Sequence, residues 1–148
     1  MRAELSVSID MDLTWRYASG DSMARFLAGV RRRRLEAQQC PVCLRRYLPP
    51  RPFCGRCRVR LGGWVPVADT GTLDAWTVVH VPILDGRTGE MRPTPYGMGL
   101  IRLDGADTTV NHFLAGTEGF RIGARVRAVW RDECRGAMDD ILHFEVLP

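Results

Sequence analysis

The sequence predicts a mainly β protein: an N-terminal helix, then a metal-stapled ribbon, then a small barrel of five strands. Two observations carry that prediction. Cys40-Pro-Val-Cys43 and Cys54-Gly-Arg-Cys57 form two Cys-x-x-Cys knuckles with ten residues between them. From Gly71 onward the chain becomes a series of β-branched and aromatic runs, broken by glycine, proline and aspartate turns.

The knuckles come first because their spacing is the most specific signal. Each knuckle lets two thiolates on one tight turn face the same point, and two such turns complete a four-sulfur cage suited to Zn²⁺. Pro41 stiffens the first knuckle, Gly55 is expected to permit the tight backbone of the second, and Pro49, Pro50 and Pro52 shape the excursion between them. Cys40, Cys43, Cys54 and Cys57 are therefore the predicted metal ligands. Four protein ligands leave no open coordination position, so the ion is expected to be structural. Iron fits the same sulfur set less well as an expectation than zinc. Two disulfides would require an oxidising compartment, and a redox Cys-x-x-Cys would require a βαβ context that is missing.

Composition bounds the rest. A length of 148 residues allows one domain or two very small ones, and 45% hydrophobic with 26% charged residues is ordinary for a globular protein. Met1-Arg-Ala-Glu-Leu-Ser lacks the apolar core of a signal peptide, and no apolar run reaches the ~18 residues needed to span a bilayer. The expectation is a cytoplasmic protein without a membrane segment. All 21 basic residues are arginine, which reflects either a compositional bias or contacts to phosphates and carboxylates that favour a planar fork. A net charge of +4 is modest, so nucleic acid is not the expected partner.

In chain order, Leu5, Val7, Ile9, Met11, Leu13 and Trp15 alternate with polar residues, the pattern of a strand with one buried face. Asp21 or Ser22 is a candidate N-cap for a helix to about Arg34, with Phe26, Leu27 and Val30 on one face and Met23 a further candidate for it. Arg31-Arg32-Arg33-Arg34 would be its basic last turn, a solvated charge run unless it meets a phosphate or a partner. Leu35 to Gln39, Tyr47-Leu48 and Trp64-Val-Pro-Val67 are short extended pieces around the knuckles. This is the outline of a rubredoxin-like zinc ribbon. Too few apolar residues lie between 40 and 60 for a core, so metal binding is expected to supply that stability, on the order of 10 kcal/mol.

The second half reads as five strands: Leu73 to Val81, Tyr96 to Leu103, Thr108 to Leu114, Ile122 to Trp130 and Ile141 to Leu147. Residues 82–95 form a long loop, Asp104-Gly105 supplies a turn, and Gly97 and Gly99 suggest close backbone approach or a sharp bend. Five short antiparallel strands suit a closed barrel, with the OB-fold as the natural candidate and a meander or sandwich as the alternative. The expected division is an N-terminal extension at 1–21, helix and ribbon at 22–67, and OB-fold at 68–148.

Catalytic signals are missing. His80, His112 and His143 have no metal-ligand spacing and read as strand histidines with satisfied hydrogen bonds. Cys134, between arginines, reads as a free thiol of no consequence. Asp139 and Asp140, placed in a strand, would face opposite ways, which is poor geometry for an acid and base. Phosphate-binding and nucleophile-elbow motifs are absent from the sequence. No catalytic residue is predicted.

Taken together, Gln39-Cys-Pro-Val-Cys43, Leu48-Pro-Pro-Arg-Pro-Phe-Cys-Gly-Arg-Cys57, Gly71-Thr-Leu-Asp-Ala-Trp-Thr-Val-Val-His80 and Pro95-Tyr-Gly-Met-Gly-Leu-Ile-Arg-Leu-Asp-Gly105 resemble a bacterial and archaeal family. Its members are acyl-CoA-associated proteins that join a rubredoxin-like zinc ribbon to an OB-fold, formerly under a domain-of-unknown-function label. The resemblance covers roughly residues 22–147. It implies an accessory subunit that binds and stabilises a thiolase-fold enzyme acting on acyl-CoA. Lipid-transfer-protein-like aldolases that cleave steroid side-chain β-hydroxyacyl-CoA are the favoured partners, with thiolase and acyltransferase complexes as alternatives. Catalysis would then belong to the partner. Trp64, Trp76 and Tyr96 are candidate contacts to the partner or CoA. A zinc-ribbon/OB-fold nucleic-acid binder and an iron-centred redox protein are the readings from other classes.

Overall fold

The computed structural model describes residues 18–86 and 88–148, so the alternating stretch 5–15 lies outside the described residues. The first element, α1, spans Gly20–Val30. Phe26 and Val30 are buried, and Met23 and Leu27 pack beside them, because residues three and four apart share a face. The helix is shorter than its sequence pattern suggested. It starts at Gly20 and stops before the arginine run, where the Arg32 and Arg34 N–H groups both donate to the Gly29 carbonyl, at 2.8 and 3.0 Å. Arg33 takes φ +54°, the left-handed conformation usually left to glycine at a helix end. Gly29 is required there, because a Cβ would sit 2.8 Å from the Arg34 carbonyl oxygen.

Three short strands follow: β1 (Leu35–Gln39), β2 (Arg46–Tyr47) and β3 (Trp64–Val67), ordered β2-β1-β3. Both pairings are antiparallel, with Gln38 opposite Tyr47 and Leu35 opposite Val67. The knuckles occupy the two excursions leaving this sheet.

The remaining strands are β4 (Thr70–Val79), β5 (Tyr96–Leu103), β6 (Val110–Leu114), β7 (Arg125–Trp130) and β8 (Ile141–Val146). They close in the order β4-β5-β6-β8-β7, with β7 returning to β4. All neighbours are antiparallel except β6 and β8, so one pairing departs from the all-antiparallel expectation. Closure depends on the length of β4. Thr70–Thr72 pair with β7, the register shifts between Leu73 and Ala75, and the strand continues along β5 to Val79. β7 starts at Arg125 rather than Ile122, since Gly123 turns at φ +85° and Ile122 stays exposed.

Alternate positions fill the barrel: Leu73, Ile101, Leu103, Leu114, Val126 and Phe144 are each 5% exposed or less. The β5 glycines make room, as anticipated. A Cβ on Gly99 would lie 2.6 Å from Leu73 Cδ1, and one on Gly97 would lie 2.7 Å from the Gly116 carbonyl oxygen. Phe26, Val30, Leu35, Ala37 and Leu48 join these barrel residues in one apolar cluster, so helix, ribbon sheet and barrel share a core. Polar bonds seal the same joint. Thr108 Oγ1 accepts from Leu48 N–H and donates to the Leu48 carbonyl, both at 2.8 Å, while Arg46 N–H donates to Asp107 Oδ2 at 2.8 Å.

Candidate metal centre and surrounding surfaces

The two knuckles have the same internal hydrogen bonds. Cys40 N–H donates to the Arg45 carbonyl and Leu44 N–H to the Cys40 carbonyl, at 2.9 and 3.0 Å. Cys54 N–H to Val59 and Arg58 N–H to Cys54 repeat both bonds at the same distances. Each turn closes through a non-glycine residue of positive φ, Leu44 at +59° and Arg58 at +57°. Gly55 therefore does not supply the tight backbone as expected. Its N–H donates to Tyr47 Oη at 3.2 Å, and a Cβ there would meet that oxygen only at an ordinary 3.9 Å.

The geometry brings all four predicted ligands together. Their Sγ atoms lie within 4.8 Å of one another, and Cys43 and Cys54 are 3.7 Å apart. A tetrahedral ion with metal–sulfur bonds of about 2.3 Å separates its sulfurs by about 3.8 Å, so the set fits one ion. Cys40 and Cys54 are buried and Cys43 and Cys57 half-buried, with Tyr47, Leu61 and Val59 packed around them. Backbone N–H groups of Cys43 and Cys57 point at the Cys40 and Cys54 sulfurs, at 3.5 and 3.4 Å. Tyr47 Oη lies 3.2 Å from Cys54 Sγ. These donors favour thiolate: Tyr47 first, then the Cys57 N–H, bring Cys54 down to about 6. The neighbouring Cys43 sulfur and burial push Cys57 up to about 12. Four crowded thiols cannot all ionise side by side without a cation. A soft divalent ion such as Zn²⁺ or iron would let them do so.

Other sequence-marked residues are scattered. Trp64, on β3, is half-buried beneath the Arg25 guanidinium, whose Cζ is 4.6 Å from the ring, and Arg25 also reaches Glu36 at 3.4 Å. Trp76 and Tyr96 instead line one groove on the barrel, with Ile83, Met98 and Leu100. Trp76 is 44% exposed and meets Phe120 edge-on, and Tyr96 meets Phe113 likewise. The structure thus brings two of the three aromatics to one surface and places Trp64 on another.

His80 lies just past β4 and is exposed, so it is not a strand histidine. His112 is buried in β6, where Nδ1 accepts the Phe113 N–H at 2.9 Å; burial pushes its pKa down. His143 sits on β8 opposite Val129. Cys134 Sγ lies 3.4 Å from the Arg131 carbonyl oxygen.

Sequence reasoning missed two charged residues that organise loops. Asp139 and Asp140 belong to a 3₁₀ turn, Met138–Asp140, not to a strand. Asp140 is fully buried and accepts N–H bonds from Arg135, Gly136 and Ala137 at 2.7 to 3.0 Å. Burial raises its pKa, but the Ala137, Arg135 and Gly136 N–H donors outweigh it and hold the carboxyl below the usual range. Asp104, in the turn after β5, receives Arg125 across the closing seam, with Nη1 to Oδ1 at 2.8 Å. Arg125 first, then the Thr70 hydroxyl, lower its pKa to about 2. An Asp-Gly pair announces a turn but not the arginine that will meet it.

A helix, a four-cysteine ribbon and a closed barrel of this strand order define the class: a four-cysteine ribbon joined to an OB-fold. The comparisons narrow it. Residues 64–131 match the family model described as the ChsH2 C-terminal OB-fold domain, bearing out the family resemblance. The fold aligns, at a TM-score of 0.63, with a chain of the solved structure "Ltp2-ChsH2(DUF35) aldolase". The two share 25% identity over 88% of this chain and 98% of that one. A DUF35 protein of unknown function from Sulfolobus solfataricus aligns at a TM-score of 0.63, with 18% identity over 86% of this chain and 87% of its own. That second likeness shows the fold. A search of curated proteins finds no match to the chain. Among the described residues, no helix is long and apolar enough to cross a membrane.

Proposed function

We propose that this chain is a non-catalytic accessory subunit that binds and stabilises a thiolase-fold enzyme acting on acyl-CoA. The favoured reaction of the pair is retro-aldol cleavage of a steroid side-chain β-hydroxyacyl-CoA. The observation that carries the reading is the likeness to the ChsH2 chain of an aldolase complex, spanning helix, ribbon and barrel at 25% identity. The site geometry agrees with a supporting role. The four-sulfur site is closed by its own ligands, and Asp140, the most buried carboxylate among the described residues, is consumed by loop N–H groups. Zn²⁺ is the proposed ion, held by Cys40, Cys43, Cys54 and Cys57; bound there, it neutralises the thiolates and ties the two knuckles together. Trp76 and Tyr96, with exposed Ile83, Leu84 and Leu100 beside them, form the proposed apolar patch for the partner, since large exposed patches of this kind mark interaction sites. Trp64 would contribute to partner contact from the helix side.

The test is co-expression with a lipid-transfer-protein-like thiolase-fold subunit. The two chains should elute as one complex that cleaves a β-hydroxyacyl-CoA, while this chain alone should show no turnover. Persistence as a separate monomer, or cleavage by this chain alone, would refute the proposal.

A further inference from the structure

A groove of about 610 Å³ runs along the seam between ribbon and barrel. Arg45, Arg51 and Arg56 line its ribbon wall, and Arg102, Thr108 and Thr109 its barrel wall. The volume suits a small molecule, and seams between structural units are common places to bind one.

Its charge is unbalanced in a directed way. Two carboxylates line the groove against four arginines, and both already hold a partner. Asp74 Oδ1 receives Arg102 at 3.1 Å, and Asp107 Oδ2 receives the Arg46 N–H at 2.8 Å. Arg45, Arg51 and Arg56 make no ion pair among the described residues. Arg45 and Arg51 are nonetheless held in place, since both Cζ atoms lie 5.8 Å from the centroid of the Tyr47 ring. Arg45 also donates from Nη2 to the Asp107 carbonyl at 3.1 Å. Guanidiniums anchored this way lose little freedom when an anion arrives.

We propose that this seam binds the phosphates of a small phosphorylated ligand, with preference for a diphosphate. Two linked phosphates offer three forks along one groove more acceptor oxygens, and more charge, than a single phosphate does. A single-stranded nucleic acid fits less well. It needs open aromatic faces for its bases, and Tyr47 is only 3% exposed beneath its arginines. The basic run after α1 is a weaker anion site. Arg33 there is spent on the Arg131 and Asp132 carbonyls at 2.9 Å, and Arg25 is paired with Glu36. The site does not depend on the thiolase-partner reading, and either can fail without the other.

The test is calorimetric titration of pyrophosphate into the full, metal-loaded chain at low salt, beside inorganic phosphate and a mixed-sequence oligonucleotide. Pyrophosphate should bind more tightly than phosphate. Arg51→Ala with Arg56→Ala should weaken it about tenfold or more, as expected for lost charge-assisted bonds. Arg32→Ala with Arg34→Ala should leave it unchanged. Metal content and circular dichroism report folding, and Arg56→Gln alone repeats the test at a side chain with no hydrogen bond or ion pair among the described residues. No pyrophosphate binding, equal binding by both double variants, or binding of the oligonucleotide alone would overturn the proposal.

Discussion

Ribbon and barrel are both small and both β, yet they are held together by different physics. Inside the barrel, strand alternation stacks Leu73, Ile101, Val126 and Phe144 with almost no exposed surface, each contributing roughly 1.5 to 3 kcal/mol of burial. The knuckles gather only Tyr47, Leu61 and Val59 around four sulfurs. Their turns run through two left-handed non-glycine residues, a local cost that a bound ion would offset. The same chain thus pairs a region stabilised by apolar burial with one that coordination would stabilise. Only the second should respond to a chelator.

That contrast can be broken by experiment. The largest effect should follow metal removal, which withdraws on the order of 10 kcal/mol from the ribbon. Hydrogen exchange should then accelerate across β1 to β3 while the inner strands of the barrel stay protected. Uniform acceleration would mean that the shared core, rather than the ion, governs both regions. Next comes Phe144→Ala, which should cost about 3 to 5 kcal/mol in denaturant unfolding and leave metal content unchanged. The smallest effect belongs to Asp104. Its folded pKa is held below the unfolded value, so the stability it adds is present above about pH 4 and is lost as pH falls toward 2. Its side chain is 42% exposed, so solvent screening should keep the contribution under about 1 kcal/mol. Asp104→Asn should lower the neutral plateau by about that amount and make the fall toward pH 2 correspondingly shallower.

Legibility in the sequence followed the range of each interaction. The cysteines were readable because a knuckle is a local code, complete within four residues. Gly97 and Gly99 were readable because two glycines in one strand signal crowding, here from Leu73 and Gly116. The end of α1 was not readable, since Arg33 adopts a conformation that its residue type rarely takes. Asp140 was misplaced because its role depends on a turn that folds back on it. Arg125 meets Asp104 only after the barrel closes, and Trp64 parts from Trp76 and Tyr96 only when the ribbon docks. Contacts across distant strands leave no mark in local pattern.

The central claim is that the metal holds the fold while the chemistry resides in a partner. Cys43→Ser, co-expressed with the thiolase-fold subunit, tests it most directly when folded yield, complex formation and turnover are measured together. All three should fall together. A well-folded variant that binds the partner but yields an inactive complex would contradict the claim and return the cysteines to the active site.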